Sequence, residues 1–288
     1  MLILSRRGNH RYGTGRCGDG LARIAALLKT TKDQTGGTLR GIGVGCTGPV
    51  DPLAGLIGDV EFLPGWKGIN LVNEISRRFD CSIAVENDAD AAALGEARWG
   101  AGLGMSKFIY VTISSGIGGG LVFDGQLYRG AEGAHPEIGH HVIDPAGPAC
   151  SCGAHGCWES LASGRAMAKW FNAQHHDPLA PAEGWDAKSI CTAAEHNDPR
   201  AQAAIAREGY YLGLGLANLV TLFTPDIIAL GGGVMRSRHL FWDKICETIR
   251  ATCGLVPHDK VRLVPAALGP DVGIIGAACV WQHRFENG

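Results

Sequence analysis

Hydrophobic positions along this chain fall into two rhythms: short continuous apolar runs, which read as buried strands, and stripes at helical spacing. A short helical stretch over 21–28 precedes a polar, glycine-bearing segment to residue 38. The run LRGIGVGC at 39–46 then reads as a buried strand. Asn70 reads as the N-cap of a helix that buries Leu71, Val72, Ile75 and Phe79. A strand over 82–85 delivers Glu86, Asn87 and Asp88 into a helix over 89–99, which Gly100 ends. The β-branched and aromatic run 108–113 predicts another strand. The turn SSGIGGG at 114–120 follows it, then a strand over 121–123 and the hairpin pair Asp124-Gly125.

Beyond residue 160 the rhythm becomes helical, with helices expected over 163–174, 187–196 and 199–224. The last has Asp198 as its cap, Pro199 in its first turn and Pro225 just past its end. Gly213 and Gly215 inside it lower helix stability, so another element is expected to approach closely there. A strand over 226–230 ends in Gly231-Gly232-Gly233, and a helix at 238–252, a strand at 261–265 and a helix at 272–283 complete the pattern. Strands alternating with helices define an α/β protein. Residues 1–19, with Arg6, Arg7, Arg11 and Arg16 among glycines, carry no such pattern and read as a solvated tail.

Composition narrows the picture. A chain of 288 residues can hold two lobes or one large domain. A net charge of −2 argues against a nucleic-acid-binding surface. No apolar run reaches the ~18–20 residues of a membrane span, and the apolar residues at 1–4 are too few for a signal-peptide core. Ten cysteines without a secretion signal point to the reducing cytoplasm. The 43 glycines cluster in short runs, as in turns that hug a ligand.

The densest candidate chemistry lies at 140–159, HHVIDPAGPACSCGAHGCWE. Cys150, Cys152 and Cys157 form a C-x-C-x4-C cluster, with His140 upstream. Three thiolates and one imidazole are a full tetrahedral set for zinc, and with no open position such an ion is structural. Gly153 and Gly156 permit the sharp turns this requires. Glu137 and Glu159 bracket the cluster, so an ion that closes the loop also fixes two carboxylates. Buried thiols or disulfides are the competing readings; the spacing and the inferred compartment favour a metal. His135, His141 and His155 read as solvated or core-capping imidazoles. Gly43-x-Gly45-x-x-Gly48 matches a dinucleotide fingerprint in form, but prolines follow where a phosphate-binding helix would start.

The string C-x-C-G-x-x-G-C-x-E, preceded by E-x-G-H, resembles the signature of the ROK family of sugar kinases and sugar-responsive repressors. It stands here as Glu137-Ile138-Gly139-His140 and as residues 150–159. The resemblance extends over about residues 20 to 285 and includes the string E-N-D-A-x-A-A-A-L-G-E at 86–96. It implies an actin-like (ribonuclease H-like) two-lobed fold with a cleft, and kinship with glucokinases and N-acetylmannosamine kinases. Residues 1–105 would form a small lobe completed by the helix at 271–288, and residues 106–270 a large lobe holding the zinc loop. The activity implied is ATP-dependent phosphorylation of a hexose or N-acetylhexosamine hydroxyl, with Mg²⁺ accompanying ATP and Zn²⁺ structural.

The resemblance also implies roles. Asp88 is the general base; the competing reading is a helix cap. Gly48, Asn87, Asp88, Glu137, His140 and Glu159 surround the sugar, and the turn at 64–66, Pro-Gly-Trp, lies near it. Ser114, Ser115, Gly116, Gly118 and Gly119 hold ATP phosphates through backbone N–H groups, although Ser114 and Ser115 replace the family's Gly-Thr. Gly231, Gly232 and Gly233 lie by the adenosine. Gly269, Gly273 and Gly276 match the family's last segment. A homodimer or homotetramer is implied as well. The family's opening D-x-G-G-T phosphate turn is not found; 35–38 (TGGT) looks similar, but no strand precedes it. The first lobe is therefore expected to be incomplete. Two other readings stay open: a sugar-sensing transcriptional regulator, and a sugar-binding protein with impaired catalysis.

Overall fold

The computed structural model of the chain describes residues 17–60, 63–174 and 184–286. Most of the segment read as a tail lies outside these residues. In chain order the elements are α1 (Cys17–Thr35), β1 (Gly41–Cys46), β2 (Val50–Asp51), β3 (Leu56–Ile57), α2 (Leu71–Ser76), β4 (Ser82–Asn87) and α3 (Asp88–Trp99). There follow β5 (Lys107–Ile113), β6 (Ile117–Phe123), β7 (Gln126–Leu127), α4 (Trp158–Ala162), α5 (Gly164–Gln174), α6 (Ala187–Glu195) and α7 (Pro199–Phe223). The last are β8 (Ile227–Gly231), α8 (Trp242–Thr252), β9 (Arg262–Pro265) and α9 (Val272–Phe285). The chain divides into two compact units. The first takes the described residues up to Ser106, Gly120–Pro136 and those from Ala267 onward; the second takes Lys107–Gly119 and Glu137–Ala266.

In the first unit β1 and β4 pair in parallel, from Gly41 opposite Ser82 to Cys46 opposite Asn87. Both strands therefore end at the same edge. The glycines of β1 are packing devices: a Cβ on Gly43 would strike the Ala277 carbonyl of α9, and one on Gly41 the Trp281 ring. Gly45 lies against Ala91 and Asp88 of α3, and Gly276 of α9 against the Ala91 carbonyl. This is where the glycines of the apparent dinucleotide fingerprint go. Leu21, Cys46, Ile57, Val60, Leu71 and Val85 form one apolar cluster, and half-buried Trp66 packs on it. Buried Glu96 accepts hydrogen bonds from the backbone N–H groups of Ala101 (2.8 Å), Ala267 (3.0 Å) and Leu268 (2.8 Å), which ties the end of α3 to the approach to α9.

Also in the first unit, the end of β6 pairs antiparallel with β7, Val122 opposite Leu127. In the second unit β5 and β8 are parallel neighbours, Phe108 opposite Ile227 and Thr112 opposite Gly231. Their C-terminal turns thus emerge side by side. At the hairpin Asp124 and Gly125 both take positive φ (51° and 79°), as a type I′ turn demands. Along α7, Gly213 meets Thr248 and Ile245 of α8, and a Cβ on Gly215 would enter the ring of fully buried Trp158. Gly215→Val is expected to lower stability by about 1–3 kcal/mol through overpacking, read as a lower urea midpoint at unchanged slope.

Several elements differ from the sequence reading. Helix α1 is longer than 21–28, begins inside the supposed tail, and stops at Gly36, whose φ of 60° suits a left-handed helix end. The TGGT segment is therefore a helix terminus. The glycine turn is short: only 114–116 leave the strand, and Gly118, Gly119 and Gly120 lie within β6. Gly119 has to be glycine there because Ile138 and the Tyr110 carbonyl occupy its side-chain space. The helix expected over 238–252 is broken: a 3₁₀ segment at Val234–Leu240 leaves helical geometry at Ser237, and α8 starts only after buried Phe241. Helix α4 was not foreseen, since five residues are too few to show a helical period.

Candidate functional site

In the first unit, the parallel register of β1 and β4 sets Gly48 beside Asn87. A Cβ at Gly48 would lie 2.9 Å from the Asn87 amide nitrogen, so glycine is needed for this approach. Asn87 is 6% exposed, and its side-chain oxygen accepts from the N–H groups of Ala89 (2.8 Å) and Asp90 (3.3 Å). It is thus the N-cap of α3. Asp88, the first residue of the helix, does not perform that task, and its side chain remains open to solvent. The dense protein around it raises its carboxyl above the usual range. The N–H groups of Ala89 and of Asp88 itself and the charge of His135 pull it down, while Asp90 adds to the rise.

Around Asp88 lies a charged network that the sequence reading did not single out. Glu86 is 3% exposed and pairs with both guanidinium nitrogens of Arg129, Nη1 donating to Oε1 at 2.9 Å. Burial raises the Glu86 carboxyl, and Arg129 offsets part of that rise. Asp90 is fully buried, with Oδ2 2.7 Å from His135 Nδ1 and 3.9 Å from Arg129 Nη1. A signal was present: acidic residues at 86, 88 and 90 enter an apolar junction, and buried carboxylates require cationic partners.

In the second unit the two glycine turns meet. Ser114 and Ser115 are exposed, and the turn is closed by Ser114 N–H donating to the Gly116 carbonyl (2.8 Å). A Cβ on Gly233 would touch Ser114 Oγ at 3.4 Å, and Gly232, with φ 94°, lies flat on the Ile113 backbone. Gly231 rests on the Tyr110 ring. Glu159, in the first turn of α4, accepts from Ile117 N–H through Oε2 at 2.7 Å. A Cβ on Gly116 would run into that carboxylate. The structure therefore brings Ser114, Gly116, Gly231, Gly232, Gly233 and Glu159 together. It keeps Gly118 and Gly119 out of the turn.

His140, Cys150, Cys152 and Cys157 also converge, with their ligand atoms within 4.8 Å of one another. Cys150 Sγ lies 3.4 Å from His140 Nδ1, and Cys152 Sγ lies 3.5 Å from Cys157 Sγ. The cysteines are free thiols, which sets aside the disulfide reading. Bond lengths of about 2.0–2.3 Å at tetrahedral angles separate ligand atoms by roughly 3.5–3.8 Å, so the donor set fits zinc in chemistry and these two pairs stand near the required spacing. Gly153 and Gly156 take φ of 94° and 69°, and a side chain on Gly156 would strike the Asp144 carbonyl. Burial, then the neighbouring thiols, push Cys157 up to about 12; a bound cation removes that obstacle to thiolate formation. His140 leaves a 3₁₀ turn whose first bond runs from its N–H to the Glu137 carbonyl, 2.9 Å, while Glu137 itself is exposed. Of the remaining imidazoles, His141 is held between the Ile138 carbonyl and the Trp158 ring, and burial lowers its pKa. His155 is exposed.

Known proteins resemble this chain in sequence and fold. A ROK hexokinase from Thermus thermophilus superposes with a TM-score of 0.86 at 30% identity, covering 97% of this chain and 91% of its own. A ROK glucokinase from Streptomyces griseus, solved with glucose and AMPPNP, superposes at 0.78 with 31% identity, covering 93% and 89%. The fold is that of the actin-like ATPases, in the form found in ROK sugar kinases. The ROK family pattern matches residues 8–284, and the chain belongs to the ROK family. The glucokinase of Thermotoga maritima is 31% identical over 93% of this chain and 86% of its own length. The xylose repressor of Bacillus spizizenii is also 31% identical, but this chain spans only 62% of it.

Proposed function

We propose that this chain transfers the terminal phosphoryl group of ATP to a hydroxyl of a hexose or an N-acetylhexosamine. The observation that carries this reading is Asp88: Asn87 caps the helix, which leaves the Asp88 carboxylate accessible and able to accept a proton. In this reading the sugar oxygen forms its bond to phosphorus as Asp88 takes the hydroxyl proton, and the departing ADP oxygen carries away the electron pair. Asn87, Glu137, His140 and Glu159 hold sugar hydroxyls, since ionised carboxylates accept from several hydroxyls at once. Gly48 gives backbone approach. Ser114, Ser115 and Gly116 present hydroxyls and N–H groups to phosphates, with Gly231, Gly232 and Gly233 beside the adenosine. Mg²⁺ bound with ATP would supply charge neutralisation. Zinc on His140, Cys150, Cys152 and Cys157 would hold the loop between Glu137 and Glu159.

Support comes from the glucokinase relatives and from the S. griseus enzyme solved with glucose and AMPPNP. The test is a coupled assay of ADP release across a panel of hexoses and N-acetylhexosamines. Sugar-dependent release is expected; saturable sugar binding with no release from any of them overturns the reading. The matched repressors favour one alternative, a sugar-sensing regulator. Sugar-dependent retardation of DNA on a gel, without turnover, would select it.

A further inference from the structure

Glu86 and Asp90, one on each side of Asp88, are sealed from solvent, at 3% and 0% exposure. Their cationic partners come from one segment, residues 128–136, which follows β7, while Glu86 Oε1 also accepts from Asn87 N–H at 3.1 Å. Arg129 pairs with Glu86 and lies 3.9 Å from Asp90, and His135, 9% exposed at its side chain, meets Asp90 at 2.7 Å. Among the described residues the other Asp90 oxygen, Oδ1, accepts no hydrogen bond, and Gly120 of β6 packs so close that a Cβ there would lie 2.8 Å from it. The polar contacts of Asp90 therefore rest on Oδ2 alone. Helix α3 continues with buried Ala91, Ala92 and Ala93, so an apolar residue at 90 would suit this face. Buried ion pairs seldom stabilise more than well-packed apolar residues. Charges kept at this cost point to a task beyond folding.

We propose that Arg129 and His135 form a two-point clasp on the β4–α3 junction, and that His135, through Asp90, is the positioning residue for Asp88. This rests on reading Asp88 as the general base. The groups facing Asp88 are Asp90 on its own helix, His135 from the clasp, the Cys46 thiol of β1, and the N–H groups of Ala89 and Asp88. Among these, His135, when protonated against Asp90, favours the ionised carboxylate. Without it, burial and Asp90 act with less opposition, and the base needs a higher pH to ionise.

The experiment compares His135→Ala and His135→Gln in the full chain. Glutamine can still donate to Asp90 but carries no charge. The clasp predicts that kcat falls about tenfold or more in His135→Ala, with KM for the sugar changed less than about twofold. In His135→Gln most of that loss is recovered. In both, the acidic limb of kcat/KM moves to higher pH. Carbon-13 titration of the Asp88 carboxyl, read without turnover, moves the same way. An unmoved Asp88 titration, or a loss confined to KM, overturns the proposal. A wild-type chain that turns over no sugar defeats the kinase reading instead, while the Asp88 titration still decides the clasp.

Discussion

Asp88→Asn is expected to cut turnover by about 10²–10⁴-fold and to leave sugar affinity close to that of the unmodified chain. Asparagine keeps the shape of the side chain and its capacity to bond a hydroxyl, but cannot take a proton at working pH. The fold should tolerate the change, because the cap of α3 is the Asn87 side chain and stays in place. Calorimetric titration with sugar, beside steady-state rates, separates the two effects. A variant that keeps full turnover removes Asp88 from the mechanism, and one that unfolds returns it to a capping role. The pH profile gives a second handle. A general base works ionised, so activity is present above its pKa and is lost as pH falls through it. The protein packed around Asp88 raises its carboxyl although the side chain reaches solvent, so the acidic limb should lie above the range of an ordinary aspartate and vanish from the residual activity of the variant.

Removing the metal is expected to damage stability and sugar binding together. Purified protein should carry close to one equivalent of zinc, assayed by elemental analysis. Apparent zinc affinities of about 10–16 kcal/mol in small structural sites show how much folding energy such an ion can hold. Cys157→Ser, or prolonged chelation, should loosen the loop between Ile143 and Gly156, which a few backbone bonds, among them Ile143 N–H to the Gly156 carbonyl (2.9 Å) and Gly156 N–H to the Pro148 carbonyl (2.8 Å), otherwise hold. His140 belongs both to the cluster and to the proposed sugar contacts, and Trp158 and Glu159 follow Cys157 directly. Sugar affinity should therefore fall about tenfold or more, the scale on which disturbed metal surroundings act. The zinc assignment is falsified if metal-free protein binds sugar as tightly as the unmodified chain.

What the sequence disclosed depended on how local the cause was. The cap at Asn70, the Asp198-Pro199 start of α7 and the Asp124-Gly125 hairpin are set by a few neighbouring residues, and each stands where the pattern put it. The metal cluster was legible for the same reason, because its ligands are close in sequence with glycines between them. The extent of the glycine turn was not. Gly118, Gly119 and Gly120 read as a loop by composition, yet they are strand residues, and Gly119 and Gly120 are kept small by Ile138, Tyr110 and Asp90. Those neighbours come from elsewhere in the chain. The clasp was hidden similarly: Arg129 and His135 lie over forty residues from Glu86 and Asp90, and nothing in their own surroundings announces a partner.

One oxygen of Glu159 is already committed, at 2.7 Å, to the N–H of Ile117 beside the phosphate turn. In the proposed reading the same carboxylate also receives a sugar hydroxyl. In that reading a sugar that draws on Glu159 also bears on the phosphate turn, and any such coupling is reciprocal: by whatever factor sugar alters the affinity for nucleotide, nucleotide alters the affinity for sugar. The order in which the two arrive can then change the speed of assembly but not its final free energy, and a cell rich in one substrate presets the response of the protein to the other.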